Sequence, residues 1–186
     1  KGGDILYRWG NPQTYQRGKK PDRKLFAQHD AHWVPKGLSG AGHVLLFNNN
    51  HRAAIGNFST VDELELPLKK DGCYDLVKGK TFAPIGPLWS YQATPPASMF
   101  SPNISGAQRL PNGNTLVCVG ATGTFVEISP QGNIVWKYIS PMIQQGVMAQ
   151  GEPLPKDPNA QRNPVFRALR FPLSHPAFKG RNLSPK

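Results

Sequence analysis

The chain has 186 residues, of which 19 are glycine and 19 are proline. Such frequent turn formers disfavour long helices and favour many short elements, and the sequence contains no apolar run of about eighteen residues that could span a membrane. The net charge of +11 predicts attraction to anions, but no nucleic-acid partner is expected because the motifs that read nucleic acids are missing.

The chain opens on a strand-like segment. Residues 3–12 read GDILYRWGNP, and they align without a gap with residues 132–141, GNIVWKYISP. The later segment is the last strand of a repeated unit, described next. We therefore expect residues 1–12 to be the last strand of a preceding unit, whose other strands lie in missing residues or in another chain.

The clearest copy of the repeated unit lies within residues 97–141. Two apolar runs flank the pair Asn112-Gly113, which is a strong hairpin signal because both residues tolerate positive φ. A second turn follows at residues 130–132, before a strand that carries Trp136. This pattern predicts four short antiparallel strands.

An earlier copy lies within residues 25–95, with insertions. Residues 29–37, HDAHWVPKG, align with residues 105–113, SGAQRLPNG, and Trp89 aligns with Trp136. A linker follows the second copy, and residues 165–171, VFRALRF, read as one further strand before a proline-rich tail; together these make up residues 142–186.

Four-stranded units that repeat with a tryptophan in the last strand are typical of β-propeller blades. We predict an all-β fold, a partial propeller of about two and a half four-stranded antiparallel blades. Since a closed ring needs at least about four blades, missing residues or another chain would complete it, and the strand at 165–171 would close the ring. Trp9, Trp89 and Trp136 are expected to pack between blades.

Four segments carry a family resemblance: residues 28–31 (QHDA), 105–116 (SGAQRLPNGNTL), 132–138 and 166–168 (FRA). Across roughly residues 1–183 the chain resembles bacterial arylsulfotransferase-like β-propellers. The resemblance implies transfer of a sulfuryl group from one phenol sulfate to another phenol, by a ping-pong mechanism through a sulfated histidine in the central channel. It also implies that no nucleotide cofactor is needed and that the protein is periplasmic or extracellular.

Sulfuryl transfer needs a neutral nitrogen nucleophile and cations near the sulfate oxygens. The alignment makes residues 28–34, 105–110 and 165–171 the innermost strands, which line the channel of a propeller. The side chains that these strands could place there are those of His29, Asp30, His32, Gln108, Arg109, Arg167 and Arg170.

From this set we predict His29 as the catalytic residue, and Asp30, Gln108 and Arg167 as substrate-binding residues. Arg52 joins them from a loop at the channel mouth. Each also has a structural interpretation: a histidine bonded to backbone at the rim, a carboxylate that fixes an amide, or an arginine in a salt bridge. No cofactor and no metal are expected, and the expected ligand is a phenolic sulfate or another small anion.

Two points stay open at this level. If the sulfate-accepting histidine belongs to the second full blade, Ser105 fills its place. Independently of that register, a non-catalytic propeller scaffold that binds an anionic ligand or a protein partner is the alternative to the enzyme, because a fold does not fix function, and a quinone-dependent dehydrogenase is a third, weaker one. Cys73 and Cys118 permit either one disulfide or free thiols.

Overall fold

The computed structural model of the chain describes residues 2–53, 56–143, 146–149, 151–153 and 163–184, with only the backbone of residues 52 and 53. Its strands are β1 His29–Trp33, β2 Val44–Ala53, β3 Gly56–Leu64, β4 Trp89–Gln92, β5 Gly106–Arg109, β6 Thr115–Val119, β7 Thr124–Ile128, β8 Ile134–Ile139, β9 Met142–Ile143 and β10 Gly146–Val147. Short 3₁₀-helices cover Pro12–Tyr15, Lys20–Asp22, Pro96–Met99, Gly120–Thr122 and Pro176–Phe178.

The strands form two four-stranded sheets and a two-stranded ribbon. The first sheet has the order β1-β2-β3-β4 and the second β5-β6-β7-β8, while β9 pairs with β10, and every pairing is antiparallel. The all-β prediction and the four-stranded antiparallel units are therefore confirmed. No closed ring is formed by the described residues.

One hydrophobic core joins the two sheets. It takes Leu45 and Phe47 from β2 and Val117 and Val119 from β6, and Trp89 of β4 packs against it. Phe47 is fully buried. A sheet with one apolar face is stable only when another element covers that face. Each sheet here serves as the cover of the other.

The first residues do not form the predicted strand. In the described part of residues 1–12 there is no strand, and the segment is instead held by aromatic side chains against the long loop between β3 and β4. The Trp9 indole N–H donates to Pro84 O at 2.6 Å, and the Tyr7 ring packs in a tilted arrangement on Tyr74 with centroids 4.4 Å apart. Trp9 thus packs on a loop rather than between sheets.

Residues 165–171 also differ from the prediction, since none of the ten strands includes them. The segment instead lies along the second sheet. Val165 N donates to Gly120 O at 2.9 Å, and Gln108 bonds both backbone groups of Arg170 through its side-chain amide, at 2.7 and 3.0 Å. The Gln108 side chain on β5 therefore makes the two hydrogen bonds to Arg170 that a neighbouring strand's backbone would make in a β-sheet.

The contacts of this segment repeat those that β5 makes with the first sheet. Arg109 of β5 forms an ion pair with Glu63 and lies over the ring of Trp89, which is opposite Glu63 in the β3–β4 pair. In the same way Arg170 pairs with Glu127 and lies over Trp136, which is opposite Glu127.

A second pair of contacts joins matching positions, although the donor lies on opposite sides. The side chain of Asn49 in β2 donates to Ile104 O just before β5, whereas Val165 N of the later segment donates to Gly120 O just after β6. Relative to the second sheet, residues 165–171 thus occupy the place that β5 occupies relative to the first. The segment thus packs on the second sheet much as β5 packs on the first, without forming a strand itself.

The two cysteines and the two tryptophans of the sheets differ in their exposure to solvent. Cys73 is an exposed free thiol and Cys118 a buried one, whose pKa burial raises to about 11. Trp89 is half-buried between the sheets, whereas Trp136 is 41% exposed under Arg170. Within the described ranges, no helix has the length and apolar character needed to cross a membrane.

Candidate functional site

The carboxylate of Asp30 on β1 contacts both β5 and the segment 165–171. It accepts the N–H of Ala107 on β5 at 3.2 Å and forms an ion pair with Arg167. His32 on β1 places its Nδ1 3.6 Å from the same carboxylate. The Asp30 side chain is only 9% exposed. The predicted channel residues Asp30 and Arg167 are therefore brought together, and each neutralises the other.

An irregularity in β1 sets this geometry. Asp30 has the left-handed φ of +59°, and the pairing of β1 with β2 shifts register between His29 and His32. Regular strands alternate side chains between faces, and a bulge re-aims a side chain. The side chains of His29 and Asp30 therefore do not follow the alternation of a regular strand.

The same bulge changes the repeat alignment. His29 pairs with Phe47 in the first sheet, and Gly106 pairs with Cys118 at the matching place in the second. By strand pairing the counterpart of His29 is thus Gly106 rather than Ser105. Ser105 is buried and its hydroxyl donates to Ser101 Oγ at 2.9 Å, which is a structural role.

The His29 ring is held through one nitrogen. Its Nδ1 lies 2.8 Å from Asn49 Oδ1 and 3.0 Å from Ala27 O. Asn49 is fully buried, and its Nδ2 donates to Ser101 O and Ile104 O at 3.0 and 2.8 Å, so the atom that faces His29 is the carbonyl oxygen.

Both atoms that face Nδ1 of His29 are therefore acceptors, and Nδ1 must carry the proton. In the neutral ring this leaves the lone pair on Nε2. No group in the described part of the chain bonds to that Nε2. A half-buried imidazole with a fixed tautomer and an unengaged Nε2 can act as a base, a nucleophile or a ligand.

Gly106 is required where the Asp30 carboxylate crosses β5. A Cβ at Gly106 would lie 2.2 Å from Asp30 Oδ2, and the carboxylate cannot move without leaving Ala107 N and Arg167. We expect Gly106→Ala to lower the free energy of unfolding by about 2 kcal/mol, the usual cost of overpacking, in urea denaturation. Gly86→Ala is the control, because nothing lies within 4 Å of its added Cβ; equal stability of the two variants would contradict the crowding.

His32 should make stability depend on pH. Its hydrogen bond to Asp30 raises the pKa above the ordinary 6.5. A raised folded-state pKa gives a stabilisation that is complete below the unfolded pKa and lost as pH rises through the folded one. The advantage of the wild type over His32→Gln in free energy of unfolding should therefore shrink between about pH 5.5 and pH 8.

His51 should make stability depend on pH in the opposite direction. Burial lowers its pKa, so the advantage of the wild type over His51→Gln should grow over the same pH range. Parallel urea denaturation curves at the two pH values test both. Two variants that drift in the same direction with pH would contradict the assignment of the His32 shift to Asp30.

The other predicted site residues have varied fates. The side-chain amide of Gln108 forms hydrogen bonds with the backbone of Arg170, and Arg109 forms a buried ion pair with Glu63. Arg167 keeps a buried Nε–H that has no partner in the described part of the chain. Arg52 lies on β2 opposite Asn57, and its side chain is outside the described residues.

Sequence reasoning missed Asn49, the partner that fixes His29. A signal was present: residues 48–50 are three consecutive asparagines in an otherwise apolar strand context. Asparagine is depleted in strands, and both Asn48 and Asn49 are fully buried. Buried amides need partners, so such a run indicates a hydrogen-bonded polar cluster.

Neither a metal-binding cluster among the described residues nor a similar known protein was found. No group of three or more histidine, cysteine, aspartate or glutamate side chains suited to a metal ion occurs in the parts of the chain described above. No family model, no curated protein and no solved structure matches the chain.

Proposed function

We propose that the chain is part of a β-propeller that transfers sulfuryl groups between phenolic compounds, with Nε2 of His29 as the nucleophile. The observation that carries the proposal is the pair of acceptors at Nδ1, which leaves the Nε2 lone pair unengaged. The contacts that repeat from β5 to residues 165–171 support a propeller arrangement. The remaining blades would come from other residues of the protein or from a partner chain.

The chemistry balances in two steps. The Nε2 lone pair attacks the sulfur of an aryl sulfate, the sulfur–oxygen bond to the aryl group breaks, and the phenolate leaves and takes up a proton. The acceptor phenol then attacks the sulfur of the sulfohistidine, the nitrogen–sulfur bond breaks, and the phenolic proton is released. Asn49 would hold the ring in one tautomer throughout, as the orienting group of a nucleophile does.

The surroundings also provide positive charge for the sulfate oxygens. Arg167 forms an ion pair with Asp30, the residue that follows His29 in the sequence, and its buried Nε–H has no partner among the described residues. A buried donor without an acceptor is costly, and a sulfate oxygen would supply the missing acceptor. Arg167 would have to share its charge between Asp30 and the ligand.

The direct test is transfer from 4-nitrophenyl sulfate to phenol by the full-length protein, followed as release of 4-nitrophenol. We expect His29→Gln to lower the rate by roughly 10³-fold or more, as loss of a nucleophile does. His175→Gln is the matched control, since that half-buried histidine caps the helix Pro176–Phe178. No turnover by folded wild-type protein, or full activity of His29→Gln, would refute the enzyme.

A non-catalytic propeller scaffold is the second candidate. The observation in its favour is that Arg167 already forms an ion pair with Asp30, while Gln108 is committed to the backbone of Arg170. A scaffold of this kind would hold its ligand without reacting with it. Binding of 4-nitrophenyl sulfate with no release of 4-nitrophenol, measured on one folded sample, would select it.

A further inference from the structure

A cavity lies away from the Asp30 cluster, between the N-terminal segment and the β3–β4 loop. It has a volume of about 280 Å³. The side chains that matter for its chemistry are those of Trp9, Tyr15, Asp22, Lys24, Lys80 and Phe82. We propose that this cavity binds a small aromatic anion, a single ring that carries one anionic group. The proposal does not rest on the function of His29.

Aromatic faces form the apolar part of the cavity. The Trp9 indole N–H is engaged by Pro84 O at 2.6 Å, and the Tyr15 hydroxyl accepts the N–H of Phe82 at 3.3 Å. Because their polar atoms bond to backbone, these rings offer mainly their faces and edges to the cavity. Tyr15 and Phe82 already stand in a tilted pair with centroids 5.5 Å apart. A further ring fits such a set through stacked or edge contacts.

The charge at the cavity favours an anion. Lys24 and Lys80 line it, and in the described part of the chain no carboxylate forms an ion pair with either. The one acidic lining residue, Asp22, is engaged by the backbone N–H of Lys19 at 2.6 Å. Arg17, next to the lining residue Gly18, has a buried Nε–H without a partner among the described residues. The lining thus carries two ammonium groups against one carboxylate, and this balance attracts anions.

The size of the cavity limits the ligand. Pockets for drug-sized molecules usually span about 300 to 1,000 Å³, so this one suits a ligand with one ring. A carboxylate, sulfate or phosphate on that ring would meet the lysine ammonium groups while the ring contacts Trp9 and Phe82. Both parts of the ligand therefore have a named counterpart.

The test uses 4-nitrobenzoate as the probe, because it cannot donate a sulfuryl group, and the neutral 4-nitrobenzamide as its partner of equal shape. Isothermal titration calorimetry on the whole chain gives the Kd, and amide NMR shifts of Gly10, Gly18 and Gly79 locate the ligand. We expect the benzamide to bind at least tenfold more weakly. The variant Lys24→Gln/Lys80→Gln should raise the Kd of the benzoate at least tenfold.

A charge-matched control separates the pocket from the net charge of the protein. Lys36→Gln/Lys137→Gln removes two exposed lysines, one from the turn after β1 and one from β8, and it should leave the Kd within twofold. Equal binding of the two probes, an equal loss in the control variant, or no shift of the three glycine amides would overturn the proposal. Parallel titrations with 4-nitrophenyl sulfate and 4-nitrophenyl phosphate then tell which anionic group is preferred.

Discussion

Replacing Arg109 by methionine should lower the free energy of unfolding by about 3 kcal/mol or more. Arg109 and Glu63 form a buried ion pair between β5 and β3, with both side chains less than a tenth exposed. Removal of one partner leaves an uncompensated charge in a poorly hydrated place, which costs about 3 to 5 kcal/mol. His43 Nδ1, 2.7 Å from the other oxygen of Glu63, offsets part of that cost.

The equivalent residue of the next repeat is the control for this variant. Arg170 pairs with Glu127 in the same way, but its side chain is 40% exposed and Glu127 keeps hydrogen bonds from Asn112 and Asn114. Glu127 is only 8% exposed, but the two asparagine amides still satisfy its carboxylate and water reaches the arginine, so Arg170→Met should cost clearly less than Arg109→Met, about 1 kcal/mol. Urea denaturation at one pH measures both. Equal losses would show that the Glu63 pair is not a buried link between the two sheets.

Replacing Asn49 by leucine should destabilise the fold by about 3 kcal/mol and release the His29 ring. The buried amide donates to Ser101 O and Ile104 O. Ser101 O keeps a longer bond from the Ser59 hydroxyl at 3.3 Å, whereas Ile104 O loses its donor, and a buried acceptor left without a partner costs about 1 to 3 kcal/mol. Leucine keeps a similar volume, so the loss reports hydrogen bonds rather than a cavity. The loss of Asn49 Oδ1 also removes one of the two acceptors that hold the His29 proton on Nδ1.

Its control is Asn50→Ala, the next residue of β2. The side chain of Asn50 forms no hydrogen bond within the described ranges, while its backbone N–H donates to Phe26 O. We expect the free energy of unfolding of this variant to stay within about 1 kcal/mol of the wild type. In ¹⁵N NMR of the His29 ring, the wild type should show a single tautomer with the proton on Nδ1, and Asn49→Leu a mixture. A mixture in the wild type would contradict the fixed tautomer.

The sequence predicted the two sheets well because their signals are local. Asn112 and Gly113 form the β5–β6 hairpin, in which Gly113 has φ +85° and its N–H donates to Leu110 O at 3.0 Å. Repeated strands at matched spacing also identified the four-stranded units. Such patterns depend on turn chemistry and on alternation within one strand, and both are readable from a few adjacent residues.

The site was less predictable because it depends on non-local contacts. His29 is fixed by Asn49, which lies on another strand, and Asp30 by Ala107 and Arg167 from two further segments. The bulge in β1 depends on the left-handed φ of Asp30, and the spacing of residues in the sequence does not predict such a backbone conformation. The strands expected at residues 3–12 and 165–171 are not formed, because each needs a neighbouring strand that the described chain does not place beside it.

Hydrogen exchange of the Arg170 amide tests most directly the claim that residues 165–171 take the first-strand place of a third repeat. We expect a protected amide in the wild type, because the Arg170 N–H donates to Gln108 Oε1 at 2.7 Å. In Gln108→Ala the amide should exchange much faster, while the amide of Val165, bonded to Gly120 O, stays protected. Exchange of the wild-type Arg170 and Val165 amides at the rate of an unfolded peptide would contradict the packing of residues 165–171 on the second sheet, and with it their place as a first strand.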